Sequence, residues 1–247
     1  MTQNYKILIR YDGSRFYGWE HQPNTDMTIQ GKLESVLSKL AGKEIEVIGA
    51  GRTDAGVHAQ AMVANFRLDT SLSEEEIRDY FNRYLPDDIC VTSVQKAGER
   101  FHSRYNALGK TYCYTCYIGK QKPVFDRKYV YYLEEQPDVE QMRKGAWILQ
   151  GEHDFASFCS NPRMKKSTIR MVDKIEITME GPYLRLTYHG TGFLQHMVRI
   201  LTGTLLEVGY GKRSVDSLAE LLATPNRPAA GFTAPPQGLC LLQVDYH

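Results

Sequence analysis

Two apolar periods alternate along this 247-residue chain, and their order constrains the fold more than any other feature. Side chains alternate across a strand but return to one face of a helix every three or four residues, so period 2 marks strands and a period near 3.6 marks helices. Alternation predicts a first strand over 5–11, and Ile29, Leu33, Val36, Leu37 and Leu40 then form one stripe of a helix over 28–41 that stops at Gly42. Strands are expected over 44–48 and 60–67. A second helix opens at Ser73, where Ser-x-x-Glu to Glu76 reads as a capping box, passes through Ile77 and Phe81 and ends at Pro86. A strand over 88–95 completes a β-α-β-β-α-β series, the ferredoxin-like arrangement.

The same order recurs further on. A strand over 110–118 is followed by a helix over 138–149, capped by Asp138 and stopped by Gly151. Strands over 170–179 and 183–189 join at Gly181-Pro182, a helix covers 193–208, an extra helix 214–222, and a last strand 239–245. The chain is therefore expected to be α+β: two ferredoxin-like halves, 1–105 and 106–247, their sheets joined into one extended, mostly antiparallel surface with helices on one face. A cleft between the halves is the expected ligand site.

Composition adds exclusions. Apolar residues at 42% and charged residues at 24% are ordinary for a globular chain and exclude disorder, collagen and coiled coil. No apolar run reaches the roughly 18 residues of a membrane span, and the first residues enter a strand pattern directly, so neither a leader nor an anchor is expected. Five scattered cysteines, Cys90, Cys113, Cys116, Cys159 and Cys240, suit free thiols in a reducing cytoplasm. Cys113-x-x-Cys116 suggests a metal or redox pair, but residues three apart on a strand face opposite sides and no second pair completes a zinc set.

The net charge of +1 conceals segregation. Residues 96–128 hold eight Lys/Arg against two acids, residues 155–174 hold five against one, and the intervening 129–154 sum to −4. The first basic segment also carries Tyr105, Tyr112, Tyr114, Tyr117 and Phe125. Cations interleaved with aromatics combine phosphate attraction with base stacking, and make Lys165 and Lys166 candidates for phosphate contact. A solvated basic loop beside a tyrosine-rich strand is the plain alternative.

The densest motif is Gly49-Ala-Gly-Arg-Thr-Asp-Ala-Gly-Val-His58. As a dinucleotide fingerprint it fails, because Asp54 stands where a third glycine belongs and a strand, not a helix, follows. No Gly-Lys-Ser/Thr makes it a phosphate loop. What remains is a glycine-flanked turn presenting Arg52, Asp54 and His58, or simply a tight turn capped by Asp54. Asp54 and His58 are four apart, but a metal clasp at that spacing needs a helix that Gly56 disfavours. Arg199 lies at the edge of the apolar stripe Phe193, Met197, Ile200, Leu201 and Leu205, where a guanidinium needs a carboxylate partner; Asp54 is the candidate. The segment from Arg227 to Gly238 is too rich in proline for a linker and reads as a pocket wall.

Together these blocks resemble the tRNA pseudouridine synthase A (TruA) family. The resemblance runs through Tyr11-Asp-Gly-x-x-Phe-x-Gly-Trp19, Gly51-Arg-Thr-Asp-Ala-Gly-Val-His58, Phe101-His102, Gly151-x-His-Asp-Phe-x-Ser-Phe158, Gly192-Phe-Leu-x-x-Met-Val-Arg199 and Ala230-Gly-x-Thr-Ala-Pro-Pro-x-Gly-Leu239, in family order over nearly the whole chain. It implies isomerisation of uridine to pseudouridine at nucleotides 38, 39 and 40 of the tRNA anticodon stem-loop, by a cytoplasmic homodimer with neither cofactor nor metal. It makes Asp54 the catalytic aspartate, Arg52 the residue that helps flip the nucleotide out, Tyr112 the residue that stacks on the base, and Arg199 the partner of the aspartate.

That chemistry suits the residue types. Breaking the N-glycosidic bond, turning the uracil and rejoining it through C5 needs a carboxylate as nucleophile or base and a pocket that keeps the free base. Two other readings remain. A non-catalytic RNA binder with RRM-like sheets would want an aromatic RNP pattern, which is missing. A glycosidase would want a second acid opposite Asp54, with Asp12 or Asp154 as candidates.

Overall fold

Tyr5, Ile7, Ile9 and Tyr11 lie on one side of the first strand, β1 (Gln3–Tyr11), and are buried, while Arg10 between them is exposed. That period-2 burial is the alternation read from sequence. The computed structural model describes residues 2–247. After β1, helix α1 (Ile29–Ala41) starts where the Thr28 Oγ1 accepts the Gly31 N–H at 3.2 Å, and buries Ile29, Leu33, Val36 and Leu37. Strand β2 (Ile48–Gly49) leads to β3 (His58–Leu68), then α2 (Glu74–Tyr84) and β4 (Ile89–Lys96). The capping box forms both ways: Ser73 Oγ accepts the Glu76 N–H at 3.2 Å, and Glu76 Oε2 accepts the Ser73 N–H at 2.8 Å.

These elements make the order β4-β1-β3 with β2 against β3, antiparallel throughout, as a ferredoxin-like unit requires. Phe66 on β3 stacks on Tyr5 and meets Phe81 of α2 edge-on, with centroids 5.9 Å apart, which holds that helix to the sheet. Phe81→Ala would cost about 3–5 kcal/mol through the cavity it leaves.

The second series begins with β5 (Gly109–Ile118) and β6 (Tyr131–Leu133), followed by α3 (Val139–Leu149), β7 (Gly151–Asp154), β8 (Ile169–Val172), β9 (Lys174–Glu180) and β10 (Tyr183–Gly190). Then come α4 (Met197–Gly209), α5 (Ser217–Ala223) and β11 (Leu239–Asp245). β10 pairs antiparallel with β5 and β9, β6 runs parallel to the end of β5, and β7 and β8 form a separate ribbon. α3 packs on α4, α5 and β9, with the Arg143 guanidinium donating to the Ile177 carbonyl.

Helix α4 is buried nearly all round; only Arg199 and Glu207 of its thirteen residues are not. Both are met by the segment after α5, with Arg199 Nε donating to Ala234 O at 2.7 Å and the Phe232 N–H to Glu207 at 3.3 Å, while Arg213, before α5, brings its guanidinium to Glu207 at 3.1 Å. A Cβ on Gly203 would collide with the Phe232 carbonyl, so that close approach requires glycine.

The fold is α+β, and its strands are mostly antiparallel. The chain divides into two compact units, one holding the residues up to Leu108 with Cys240–His247, the other Gly109–Leu239. The C-terminal eight residues thus cluster with the first unit, where sequence order assigned them to the second half. β11 pairs parallel with β3 through Cys240 and Leu241.

Three elements differ from expectation. The strand expected over 44–48 shrinks to Ile48–Gly49, although Ile45 and Val47 are buried as alternation requires. Their backbone is satisfied by α1 side chains instead of a neighbouring strand: Ser38 Oγ and Glu34 Oε1 accept the Ile45 and Val47 N–H groups, and Gln30 donates to Val47 O. The single strand expected over 170–179 breaks at Asp173, its first part pairing with β7 and its second with β10. The helix expected from 193 starts at Met197, because His196 takes a left-handed conformation at φ 60° and ends the preceding turn.

Candidate active site

Arg52 and Asp54 sit on the β2-β3 connection, which the segment following β1 holds in place. The Trp19 N–H donates to Thr53 O at 3.0 Å, the Gly56 N–H to Phe16 O at 3.3 Å, and the Tyr11 hydroxyl shares a 2.8 Å hydrogen bond with Thr53 Oγ1. Gly18 has φ +99°, and a Cβ there would stand 2.7 Å from Thr53 O and 3.2 Å from the Asp54 carbonyl carbon. His58 fixes the other end: its Nδ1 accepts the Gly13 N–H at 3.1 Å and lies 3.2 Å from Asp12 Oδ1. The Val57 N–H closes the turn on Asp54 O at 3.1 Å. Asp54 is left half-buried on a backbone with little freedom.

The structural role of the 11–19 block was not legible beyond its resemblance. Its signal was the spacing of Gly13 and Gly18 before Trp19, which marks close backbone approach. His58 is bound up with Asp12 and Gly13, and among the described residues no cluster of His, Cys, Asp or Glu is arranged to hold a metal ion.

Arg52 is exposed, and its Nη1 donates to Glu20 Oε2 at 2.9 Å. A pair this open to water holds its members weakly, roughly 0–1 kcal/mol, so the guanidinium is available to another anion.

Tyr112, Arg199, Lys165 and Lys166 belong to the second unit. Tyr112 is buried on β5, edge-on to Phe193 with ring centroids 5.3 Å apart. Two residues on, and so on the same face of the strand, Tyr114 donates its hydroxyl to Pro235 O at 2.7 Å. The neighbouring Ala234 O holds Arg199 Nε. The Ala230–Leu239 block is therefore a strap that ties the guanidinium of α4 to the tyrosine face of β5. Phe193, Tyr114 and Ala234 were missed as supports, since a ring contact, a hydroxyl bond and a backbone carbonyl from separate segments are joined by tertiary structure and not by any sequence period.

Burial pushes the Tyr114 and Tyr188 hydroxyls far above the ordinary tyrosine range, and the Arg199 charge counters a small part of this at Tyr114. Burial likewise pushes up the Cys116 thiol. Cys113 and Cys116 lie on a regular strand and form no disulfide with each other. Lys165 and Lys166 are exposed in the connection before β8, and no ion pair engages either among the described residues. No helix is long and apolar enough to cross a membrane.

Residues 7–106 and 146–247 match the family described as tRNA pseudouridine synthase. A protein named tRNA pseudouridine synthase A 2 from Bacillus cereus (strain ZK / E33L) is 42% identical over 243 residues, covering 98% of this chain and 99% of its own. One of the same name from Clostridium perfringens (strain 13 / Type A) is 39% identical over 99% of this chain and 100% of its own. The tRNA pseudouridine synthase A of Geobacter sp. (strain M21) is 42% identical over 99% of both.

Proposed function

Because the chain belongs to the tRNA pseudouridine synthase family, we propose that it isomerises uridine at nucleotides 38, 39 and 40 of the tRNA anticodon stem-loop, as a cytoplasmic homodimer, with Asp54 as the catalytic group. The observation that supports it most is the immobilised backbone of the 51–57 connection, which offers a half-buried carboxylate in a fixed place. Preorganisation of that kind is how a reacting group is kept in attacking geometry.

The reaction breaks the bond between ribose C1′ and uracil N1, turns the base, joins C1′ to C5, and moves the C5 proton away while N1 gains one. Asp54 serves as nucleophile or base. Tyr112, edge-packed on Phe193, stacks on the uracil and keeps the detached ring in place. Flipping a nucleotide out of its stack costs a few kcal/mol. Arg52 offsets part of that cost by leaving its weak pair with Glu20 for the RNA. Arg199, its Nε already committed to Ala234 O, offers its terminal nitrogens to the catalytic carboxylate as its charge partner. Lys165 and Lys166 contact phosphates.

The test uses unmodified tRNA labelled with tritium at uracil C5. The protein should release tritium, and the modified nucleotides should map to 38, 39 and 40. No release above that of an Asp54→Asn control overturns the reading.

A further inference from the structure

Arg170 is the second residue of β8 and is half-buried, yet among the described residues no carboxylate meets it. Its Nη1 donates to two carbonyls of its own chain, Ser167 O at 2.8 Å and Ile169 O at 2.6 Å. Nε and Nη2 have no hydrogen-bond acceptor among the described residues. Burial draws its pKa below the ordinary arginine value, with the Cys159 thiol opposing this. A partly desolvated guanidinium without an anion is an unfavourable arrangement for a fold to keep.

Its surroundings say which anion. The end of β10 crosses directly over β8, with the Thr191 N–H donating to Met171 O at 3.1 Å. Gly192 follows, and a Cβ built there would stand 3.8 Å from Arg170 Nε and 3.9 Å from its Cδ, so a larger side chain would cover the guanidinium. The next residue, Phe193, packs edge-on against Tyr112. The turn is held from below as well, by the Ser160 N–H donating to Gln195 O at 3.2 Å. The connection before β8 carries exposed Arg163, Lys165 and Lys166, none of them ion-paired among the described residues. Arg170 is thus the half-buried end of a basic segment that begins in solvent and finishes against Gly192, the residue before Phe193 of the aromatic pair.

We infer that Arg170 binds a phosphodiester of the RNA strand next to the nucleotide on which Tyr112 stacks, using Nε and Nη2 as a fork. A planar guanidinium matches two phosphate oxygens in this way, where an ammonium acts as a point charge. Gly192 keeps that edge uncovered. The inference rests on the proposed action on tRNA and names a contact that action uses. Nη1, committed to Ser167 and Ile169, fixes the plane of the fork.

The test compares wild type, Arg170→Gln and Arg170→Lys for binding of unmodified tRNA across a range of potassium chloride concentrations, with melting temperature and steady-state kinetics alongside. Arg170→Gln should bind about tenfold or more weakly. It should flatten the slope of log affinity against log salt by about 0.7–0.9, and raise KM more than it lowers kcat. Arg170→Lys should keep the slope and recover part of the affinity. An unchanged slope in Arg170→Gln, whether or not the melting temperature falls, overturns the inference and leaves Arg170 a strut for the 167–169 turn. If Arg170→Gln does not fold, wild-type protein is treated with phenylglyoxal, with and without tRNA, and modification of Arg170 is followed by peptide mass. Protection by tRNA supports the contact, and equal rates overturn it. Tritium release by wild type reports on the proposed activity separately, so loss of one reading is distinguishable from loss of the other.

Discussion

Arg199 and Ala234 are joined twice: Arg199 Nε donates to Ala234 O at 2.7 Å, and the Ala234 N–H donates to Arg199 O at 3.1 Å. The first bond fixes the plane of the guanidinium, and the second fixes the strap to the first turn of α4. A charged side chain on a helix buried nearly all round is thereby given one orientation. The Tyr114 hydroxyl, donating to the next strap residue, Pro235, keeps the strap in place.

Arg199→Lys should therefore lose more than half of what Arg199→Ala loses. Lysine keeps the charge but has no Nε–H for Ala234 and no fork. The expected outcome is a drop in kcat with a melting temperature within a few degrees of wild type. A kcat unchanged from wild type in a folded Arg199→Ala protein removes Arg199 from the proposed role.

Asp54→Asn is expected to abolish turnover while leaving folding and tRNA affinity nearly intact, since the change is close to isosteric and removes the ionised oxygen. Binding of tRNA measured beside tritium release checks both halves of the statement. Residual turnover within about tenfold of wild type would mean another group does the chemistry.

How much of this was legible in the sequence depends on which interaction fixes each element. Helices α1, α2 and α3 carry their own caps at Thr28, Ser73 and Asp138, so local residues announce where they start. The 44–48 segment reads as a strand because Ile45 and Val47 alternate, but apolar alternation does not report that its backbone pairs with the polar side chains of Ser38, Glu34 and Gln30 on the preceding helix. The start of α4 depends on one dihedral at His196, which no apolar pattern encodes. The same division holds in the site. Asp54 and Arg52 stand out by residue type in a glycine-flanked turn, whereas Gly18, Ala234 and Arg170 act through position alone.

Alkaline pH should lower the stability of the protein progressively from about pH 10 upward. Burial raises the Tyr114 and Tyr188 hydroxyls above their ordinary value, and Tyr210, less buried, is pushed up to about 12 by the same cause. Unfolded tyrosines ionise near 10, so above that pH the unfolded state releases protons that the folded state retains. The stability these groups contribute is complete below pH 10 and declines as pH rises toward their folded values. Urea midpoints taken at a series of pH values should be level to about pH 9 and fall beyond 10, and Tyr188→Phe should make the fall shallower. A midpoint unchanged to pH 11 would contradict the burial of these hydroxyls.

Gly18→Ala tests whether the first-unit loops act as one piece. The backbone at Gly18 has φ +99°, a region that alanine adopts only with strain, and the added Cβ would stand 2.7 Å from Thr53 O. Both are backbone constraints, so no side-chain rotation relieves them. Relief must come from moving the 16–19 segment or the Thr53-Asp54 backbone, and the hydrogen bonds from Trp19 to Thr53 and from Gly56 to Phe16 oppose either. A loss of about 1–3 kcal/mol in folding stability is expected. If the strain is taken up at Asp54, kcat should fall about tenfold or more while tRNA affinity stays within a few-fold, because a displacement near 1 Å is enough to spoil an attacking geometry. Gly42→Ala supplies the comparison: its φ is +66°, nothing lies within 4 Å of the added Cβ, and it caps α1. It should cost stability with kcat unchanged. Equal effects of the two substitutions on kcat would show that the 11–19 block supports the fold and not the position of Asp54.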